Sequence, residues 1–589
     1  MNLFVVGTSD AGADPAPAER ALRDLLERLP FFEPARIETW RSADGRAAAA
    51  CVSHPPEEAG GVRYTAFEPE RMAMWSGRPF VWTGDEEADG RAPLDPGFYL
   101  VRPVADWAGR LDGRVTAVRY AGGELEAYSD PLGAYPLFEA EAAGGRWLSN
   151  SAELLRAMRG GRELEPAVVA SLVGGGWSLS GDPVWAGVRR IPRGEDLLPL
   201  ERIAKLPGAG FDPDRAAHLL VAAVRAVADW PGRPSVVPVT GGRDSRLVLA
   251  AALAAGIEFD VRTGGDPGEP DVEVARRLAE VVGREHRLLE HDPHGSLESD
   301  WRRAAEVVAL ASSGTASLAD AAGYPLGPRE GPLPLWHSGQ GGEVARAYYG
   351  TGEGLDRNGL ADHLYRRFVG RRPGRTEVLS DDGVRLVQRQ VRAFVDEQLD
   401  AGADPVDVPD LFYLLKRMGT WAGPGHGCVE LVRDTTSPLW TSRLLPDLLG
   451  LPAPERARDL FHRRVLERLA PELVEVPFEA GEGWPEQRSP ASERVRRVTT
   501  LARKAAAEAQ RRVRGAIARG ESGEQHDAFG AVLADVRELV LSSADHSAWP
   551  LLDRARVERL LGREPASLDA MSRYYVWRLA TLFAAPPGP

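Results

Sequence analysis

Ser235-Val-Val-Pro-Val-Thr240-Gly-Gly-Arg-Asp-Ser245-Arg-Leu-Val-Leu-Ala250-Ala-Ala-Leu-Ala-Ala-Gly256 joins a strand, a glycine turn and a helix in one short stretch. Val236, Val237 and Val239 form the short apolar run expected of a buried parallel strand. Gly241 and Gly242 break it, because two residues without a Cβ allow angles and approaches that others forbid. From Asp244 the composition turns to Ala and Leu, predicting a helix that stops at Gly256, a residue suited to a C-terminal cap. A helix start after a glycine turn is an anion cradle, where unpaired N–H groups converge and the helix dipole adds positive charge. Ser245 adds a hydroxyl donor, whereas the Asp244 carboxylate would repel a phosphate. A bound Mg²⁺ resolves that conflict. The plainer reading is an ordinary β–α turn.

Further along, Ile257 to Thr263 alternates as a second strand and ends at Gly264-Gly265. Pro270 then opens an amphipathic helix with Val272, Ala275, Leu278 and Ala279 on one face. His286, beyond it, reads as a structural turn residue. Strands alternating with helices predict a doubly wound parallel sheet, which binds ligands at the carboxyl ends of its strands. The pattern returns in Leu333-Pro-Leu-Trp-His-Ser338-Gly-Gln-Gly-Gly-Glu343-Val-Ala-Arg346-Ala-Tyr-Tyr349, where a glycine-rich turn delivers a second acid, Glu343. Arg346 lies one helical turn past Glu343, so it faces the same ligand or meets solvent.

No Gly-Lys-Ser/Thr follows the first turn, so it is not a Walker A loop. Thr240 to Ser245 instead resembles the Ser-Gly-Gly-x-Asp-Ser loop of the N-type ATP pyrophosphatases, the family of asparagine synthetase, with Thr240 keeping the hydroxyl. Ser338, Gly339, Gly341 and Glu343 resemble that family's Ser-Gly-x-Gly-x-Asp loop, with Glu in place of Asp. The resemblance implies ATP and Mg²⁺ as cofactors and adenylation of a substrate carboxylate. It implies Asp244 and Glu343 as metal ligands. It implies Thr240, Gly241, Gly242, Asp244, Ser245, Ser338, Gly339 and Gly341 as nucleotide-binding positions. Ser437-Pro-Leu-Trp440-Thr441 is similar to the family's Pro-Phe-Leu-Asp stretch near the acyl-acceptor site. The lysine that asparagine synthetases carry further on is absent, and Val476-Pro477-Phe478-Glu479 stands there. The cation for the departing pyrophosphate is then sought among Arg243, Arg246 and Arg346.

Upstream, the chain reads as β-rich, with strand-like runs at Leu3 to Val6, Val62 to Phe67 and Val115 to Tyr120. Gly122-Gly123 marks a hairpin. Ser129-Asp-Pro-Leu-Gly-Ala-Tyr-Pro-Leu-Phe138 and Arg146-Trp-Leu-Ser-Asn-Ser-Ala-Glu are similar to the end of a class II glutaminase domain. Such domains use an N-terminal Cys as nucleophile, with its own amine as base. Asn2 stands there, and Cys51, the only thiol in this half, cannot supply a terminal amine. Pro192 to Pro213 reads as a linker. The resemblance thus implies an α/β protein of two domains. Residues 1–200 would be a degenerate glutaminase-like (Ntn-type) domain, and 215–589 a doubly wound ATP pyrophosphatase-type domain with helical additions.

The chain has 589 residues, 43% hydrophobic and 27% charged, with a net charge of −14. That composition suits a globular protein of more than one core and argues against a nucleic-acid partner. No apolar run approaches the roughly 20 residues that span a bilayer. Two cysteines, Cys51 and Cys428, make no disulfide framework, so a cytoplasmic location is expected. His291 and His294 lack a third ligand nearby and are not read as a metal site. Asp410 to Met418 is expected to begin a helical bundle, and Leu501 to Arg519 to form a basic, solvated helix.

Without a glutaminase nucleophile, the natural amine is one already on the substrate, and ring closure gains from proximity. The two loops and the length most resemble actinobacterial lasso peptide cyclases. In that branch an Asp or Glu side chain of a leaderless precursor peptide is adenylated, and the peptide's N-terminal amine closes a macrolactam. The precursor peptide, a leader peptidase and a leader-recognition protein are then the expected partners. A β-lactam-synthetase-like or ammonia-dependent asparagine-type enzyme, and an inactive binding relative, are the alternatives.

Overall fold

Two-residue turns dictate the N-terminal half, because a strand that reverses across Gly122-Gly123, both at positive φ, can only pair antiparallel. The computed structural model describes residues 2–29, 36–53, 62–130, 132–161, 163–191, 200–228, 230, 234–289, 300–318, 334–369, 378–423, 434–478, 483–485 and 523–584. Its first strands are β1 (Asn2–Thr8), β2 (Glu38–Arg41), β3 (Ala47–Ser53), β4 (Thr65–Phe67), β5 (Met72–Trp82) and β6 (Ala88–Asp89). They are followed by β7 (Leu111–Ala121), β8 (Glu124–Ser129), β9 (Phe138–Ala142), β10 (Gly145–Ser149) and β11 (Val188–Arg190). One antiparallel sheet runs β11-β9-β10-β1-β3-β2, and a second runs β4-β5-β7-β8 with β6 on β5.

The period of two assigns each face of β1 to a different core. Phe4 and Val6 meet Met72, Met74, Val118 and Tyr120 of the second sheet in one apolar cluster. Leu3 and Val5 turn the other way, into the larger core with Leu22 and Leu25 of the Ala16–Arg28 helix. Each such side chain, fully buried, contributes about 1.5–3 kcal/mol.

The later half carries β12 (Ser235–Pro238), β13 (Phe259–Gly264), β14 (His286–Leu289), β15 (Leu335–His337) and β16 (Asp434–Thr436). They form a parallel sheet in the order β14-β13-β12-β15-β16. The chain therefore moves outward from β12 in both directions, and the carboxyl ends of β12 and β15 flank the point where that order reverses. Val236, Val237 and Val239 are fully buried. The helix after β12 runs Arg243–Ala255 and is capped by Gly256 at φ 68°. The protein is thus α/β, with antiparallel sheets first and a parallel sheet with helices after.

The two halves meet through buried polar contacts on β16 and the turn beyond it. Arg78 pairs with Asp434, and Arg114 Nη1 donates to the Thr435 carbonyl at 3.1 Å. Asp112 accepts from the Ser442 amide at 2.9 Å and its hydroxyl at 2.8 Å.

The expected α-helix from Asp410 is replaced by a short α-helix, Val408–Phe412, that passes into a π-helix, Tyr413–Ala422. Within this stretch Arg190 Nη1 donates to the Gly419 carbonyl at 2.7 Å, and the Thr420 hydroxyl to that of Lys416 at 2.8 Å. Of the expected linker, Leu200–Ile203 forms a short helix and 192–199 lie outside the described residues. Leu501 to Arg519, His291, His294 and Cys428 also lie outside them. Among the described residues no helix is long and apolar enough to cross a membrane.

Candidate functional site

The turn after β12 is folded onto its own hydroxyls. Ser245 Oγ accepts from the Thr240 amide at 3.1 Å and lies 3.1 Å from Thr240 Oγ1, which accepts from the Gly242 amide at 3.1 Å. The Gly241 amide donates to Asp271 Oδ1 at 3.2 Å, so a carboxylate already rests against this cradle. The turn after β15 is anchored where the Ser338 amide donates to the Thr436 carbonyl at 2.8 Å. Gln340 donates its amide to Ser338 Oγ at 3.2 Å, and Gly341, at φ 103°, donates to Glu343 Oε2 at 3.3 Å.

Missing side chains let the two turns touch. A Cβ on Gly339 would lie 2.7 Å from the Ser245 amide nitrogen, and one on Gly342 would overlap the Asp244 carboxylate. The structure therefore brings Thr240, Gly241, Gly242, Asp244 and Ser245 together with Ser338, Gly339, Gly341 and Glu343.

Asp244 is the centre of a charged cluster. Its Oδ2 accepts from Arg346 Nη1 at 2.8 Å, and its Oδ1 lies 2.6 Å from His462 Nε2. Asp459 gathers the second shell of charge, pairing with Arg243 and lying 3.8 Å from Arg346 Nε. Burial would raise the Asp244 pKa, yet the His462 hydrogen bond and the charges of His462, Arg346 and Arg243 hold it below the ordinary aspartate value. Glu343 shifts the other way: burial, then the neighbouring Asp244 charge, raises its pKa. Buried carboxylates with pKa values pushed apart in this manner cluster at functional sites, as they also do in structural ion-pair networks.

The three candidate arginines separate. Arg346 faces the carboxylates, which decides between the two directions its position allowed. Arg243 lies beside them through Asp459. Arg246 points elsewhere: it is fully buried and donates from Nη1 to the carbonyls of Leu473 at 3.0 Å and Val476 at 2.6 Å. Burial, then the charge of Arg243, lowers its pKa to about 10. Its guanidinium stands 4.4 Å from the Phe478 ring, on which Arg243 also rests at 4.5 Å. Arg246 thus fastens the segment that stands where the resemblance expects a lysine.

Sequence reasoning missed His462 and Asp459. Asp459 holds φ 61° as the residue before the Leu460–Leu469 helix, which presents His462 with Phe461, Val465 and Leu466 on its buried face. The one available signal was a histidine on an otherwise apolar helical stripe. His286 opens β14 instead of lying in a turn, with its Nε2 2.8 Å from Thr263 Oγ1.

Asp244 and Glu343 offer hard oxygen ligands, and each carboxylate oxygen of Asp244 keeps a lone pair beyond its present partner. Among the described residues no group of three or more His, Cys, Asp or Glu could hold a metal ion. A pair of acids fits Mg²⁺ that arrives with phosphates, since that ion is ordinarily held by one or two carboxylates plus substrate oxygens. No protein-family model matches this chain, and no curated protein matches it.

Proposed function

We propose that this protein is an ATP-dependent amide-forming enzyme of the asparagine synthetase-like kind, acting as a lasso peptide cyclase. It would adenylate an Asp or Glu side chain of a leaderless precursor peptide, and the peptide's N-terminal amine would close the macrolactam with release of AMP and pyrophosphate. The finer assignment of 1–200 as a degenerate Ntn-type domain and 215–589 as the ATP pyrophosphatase-type domain belongs to the same proposal. One observation carries it: Asp244 and Glu343 stand on touching glycine turns at the carboxyl ends of β12 and β15, beside the reversal of strand order.

Mg-ATP, when bound, supplies the activated phosphorus and the leaving group that a carboxylate needs to become an electrophile. Asp244 and Glu343 would hold the metal. Thr240, Ser245 and the amides of Gly241 and Gly242 would hold phosphate oxygens, which requires Asp271 to release the Gly241 amide. Arg346 and Arg243 supply positive charge beside the carboxylates. Arg246 is committed to backbone carbonyls and is assigned no chemical role. Asn2 is fully buried, donates through Nδ2 to the Trp75 carbonyl at 3.0 Å, and brings no nucleophile. Burial pushes the Cys51 thiol up, away from thiolate.

The test is product formation from Mg²⁺, ATP and the leaderless cognate peptide, followed by mass spectrometry. Loss of one water from the peptide, with AMP and pyrophosphate, is expected. An untouched cognate peptide, with asparagine formed from free aspartate and ammonia, would overturn the cyclase reading.

A further inference from the structure

A row of alternating cationic and aromatic side chains leads away from Asp244. Arg346, bonded to Asp244, has its guanidinium 5.9 Å from the centre of the Tyr348 ring. Tyr348 lies 5.2 Å from Tyr413, which meets Tyr349 at the same separation. Four residues on, Arg417 stacks 3.7 Å from the Trp421 ring centre. Tyr413 feels both ends of the row: burial first, then the Glu343 charge, raises its pKa, and Arg417 opposes them.

Tyr413, Arg417 and Trp421 belong to the π-helix. Its i→i+5 bonding puts more than four residues in a turn, which keeps positions four apart near one side. Long π-helical runs are rare and concentrate at functional sites.

Two features separate this row from ordinary core. Tyr348 is 49% exposed, among only four large apolar side chains left so open in the described residues. Arg417 makes no ion pair or hydrogen bond with a described residue, whereas Arg346 and Arg243 are both paired with acids. Stacking on Trp421 orients its planar fork and leaves the N–H edge for a bidentate acceptor. The row runs from Arg346 past Tyr348 to Arg417 and Trp421, and an extended chain covers only about 3.3 Å per residue, so it suits a peptide better than a single amino acid.

We propose, resting on the function given above, that this row is the docking face for a peptide substrate, with Arg417 binding one of its carboxylates and the exposed Tyr348, backed by the buried Tyr413, bearing an apolar side chain. The peptide's reacting acid then reaches Asp244 and Glu343 at the inner end of the row.

The probe is a pooled library of synthetic peptides with one Asp or Glu and one aromatic residue, beside a matched pool with the acid replaced by its amide. Retention on the immobilised full chain is measured without nucleotide, and Mg-ATP affinity is measured separately by calorimetry. The wild type should prefer the acid pool by about tenfold, the yield of one charge-assisted hydrogen bond. Arg417→Glu should abolish that preference, Arg417→Lys should keep part of it, and Tyr348→Ala should weaken retention of both pools. Mg-ATP affinity should stay unchanged in all three, which also reports an intact fold. An undiminished preference in Arg417→Glu, or none in the wild type, overturns the docking face while Mg-ATP binding keeps the functional reading alive. A wild type that fails to bind Mg-ATP removes the functional reading and the docking face together.

Discussion

His462 Nε2 lies 2.6 Å from Asp244 Oδ1, across 218 positions of sequence. The imidazole is fully buried, and its Nδ1 has no hydrogen-bond partner among the described residues. Its one polar contact therefore fixes the carboxylate on which the proposed metal site depends.

His462→Ala should weaken Mg-ATP binding by about 10–100-fold, the usual cost of removing a group that orients a metal ligand. Calorimetric titration with Mg-ATP reads this directly. An unchanged affinity would reduce His462 to a packing residue.

Asp244→Asn and Glu343→Gln should each abolish AMP formation with the shape of the site retained. On the proposed shared cation, the double variant should be no worse than either single one. Additive losses in a pyrophosphate-release assay would mean that the two act separately.

Arg346→Ala and Arg246→Ala should fail in different ways. The first removes a charge that touches Asp244 and should lower turnover by roughly 10²–10³, as loss of a transition-state donor does. The second strips two buried carbonyls of their donor and should cost about 1–3 kcal/mol for each group left unsatisfied. Melting curves beside turnover numbers distinguish the two. Equal stability of both variants would contradict the assignment.

His337, at the end of β15, gives the fold an acid sensitivity. Burial lowers its pKa from 6.5 to about 4, and its one hydrogen bond is to Ser235 Oγ at 3.1 Å. The unfolded chain then binds the extra proton between these two values, so stability is full above the unfolded pKa and declines as pH falls toward 4. The loss approaches about 3 kcal/mol at 1.36 kcal/mol per unit. Urea midpoints measured from pH 7 to pH 4.5 should fall, and His337→Asn should flatten that dependence. A parallel decline in the variant would assign the effect to other groups.

Local chemistry made the centre of the site legible. Val236, Val237 and Val239 announce a strand buried on both faces, and Gly241, Gly341 and Gly256 each stand where the backbone has its special requirement. The direction of a side chain is not local, and there the reading failed. Arg243 and Arg246 are three apart on one helix and share the Phe478 ring, yet only Arg243 reaches an acid of the cluster. Asp459 and His462 arrive from a helix more than two hundred residues downstream, with no periodic or spacing signal to link them to Asp244. The π-helix carries no composition signal that separates it from an ordinary helix.

The contacts made by Arg78, Arg114 and Asp112 give the N-terminal half a hold on β16 and the turn beyond it. They grip β16, and β16 in turn carries the carbonyl that anchors Ser338. Removing one partner alone, Arg78 or Asp434, would leave the other a buried unpaired charge, at about 3–5 kcal/mol. The N-terminal half is therefore joined to the turn after β15 as a foundation is to a wall. Substitutions at Arg78 or Arg114, more than a hundred residues upstream, should be felt at the turn that carries Glu343.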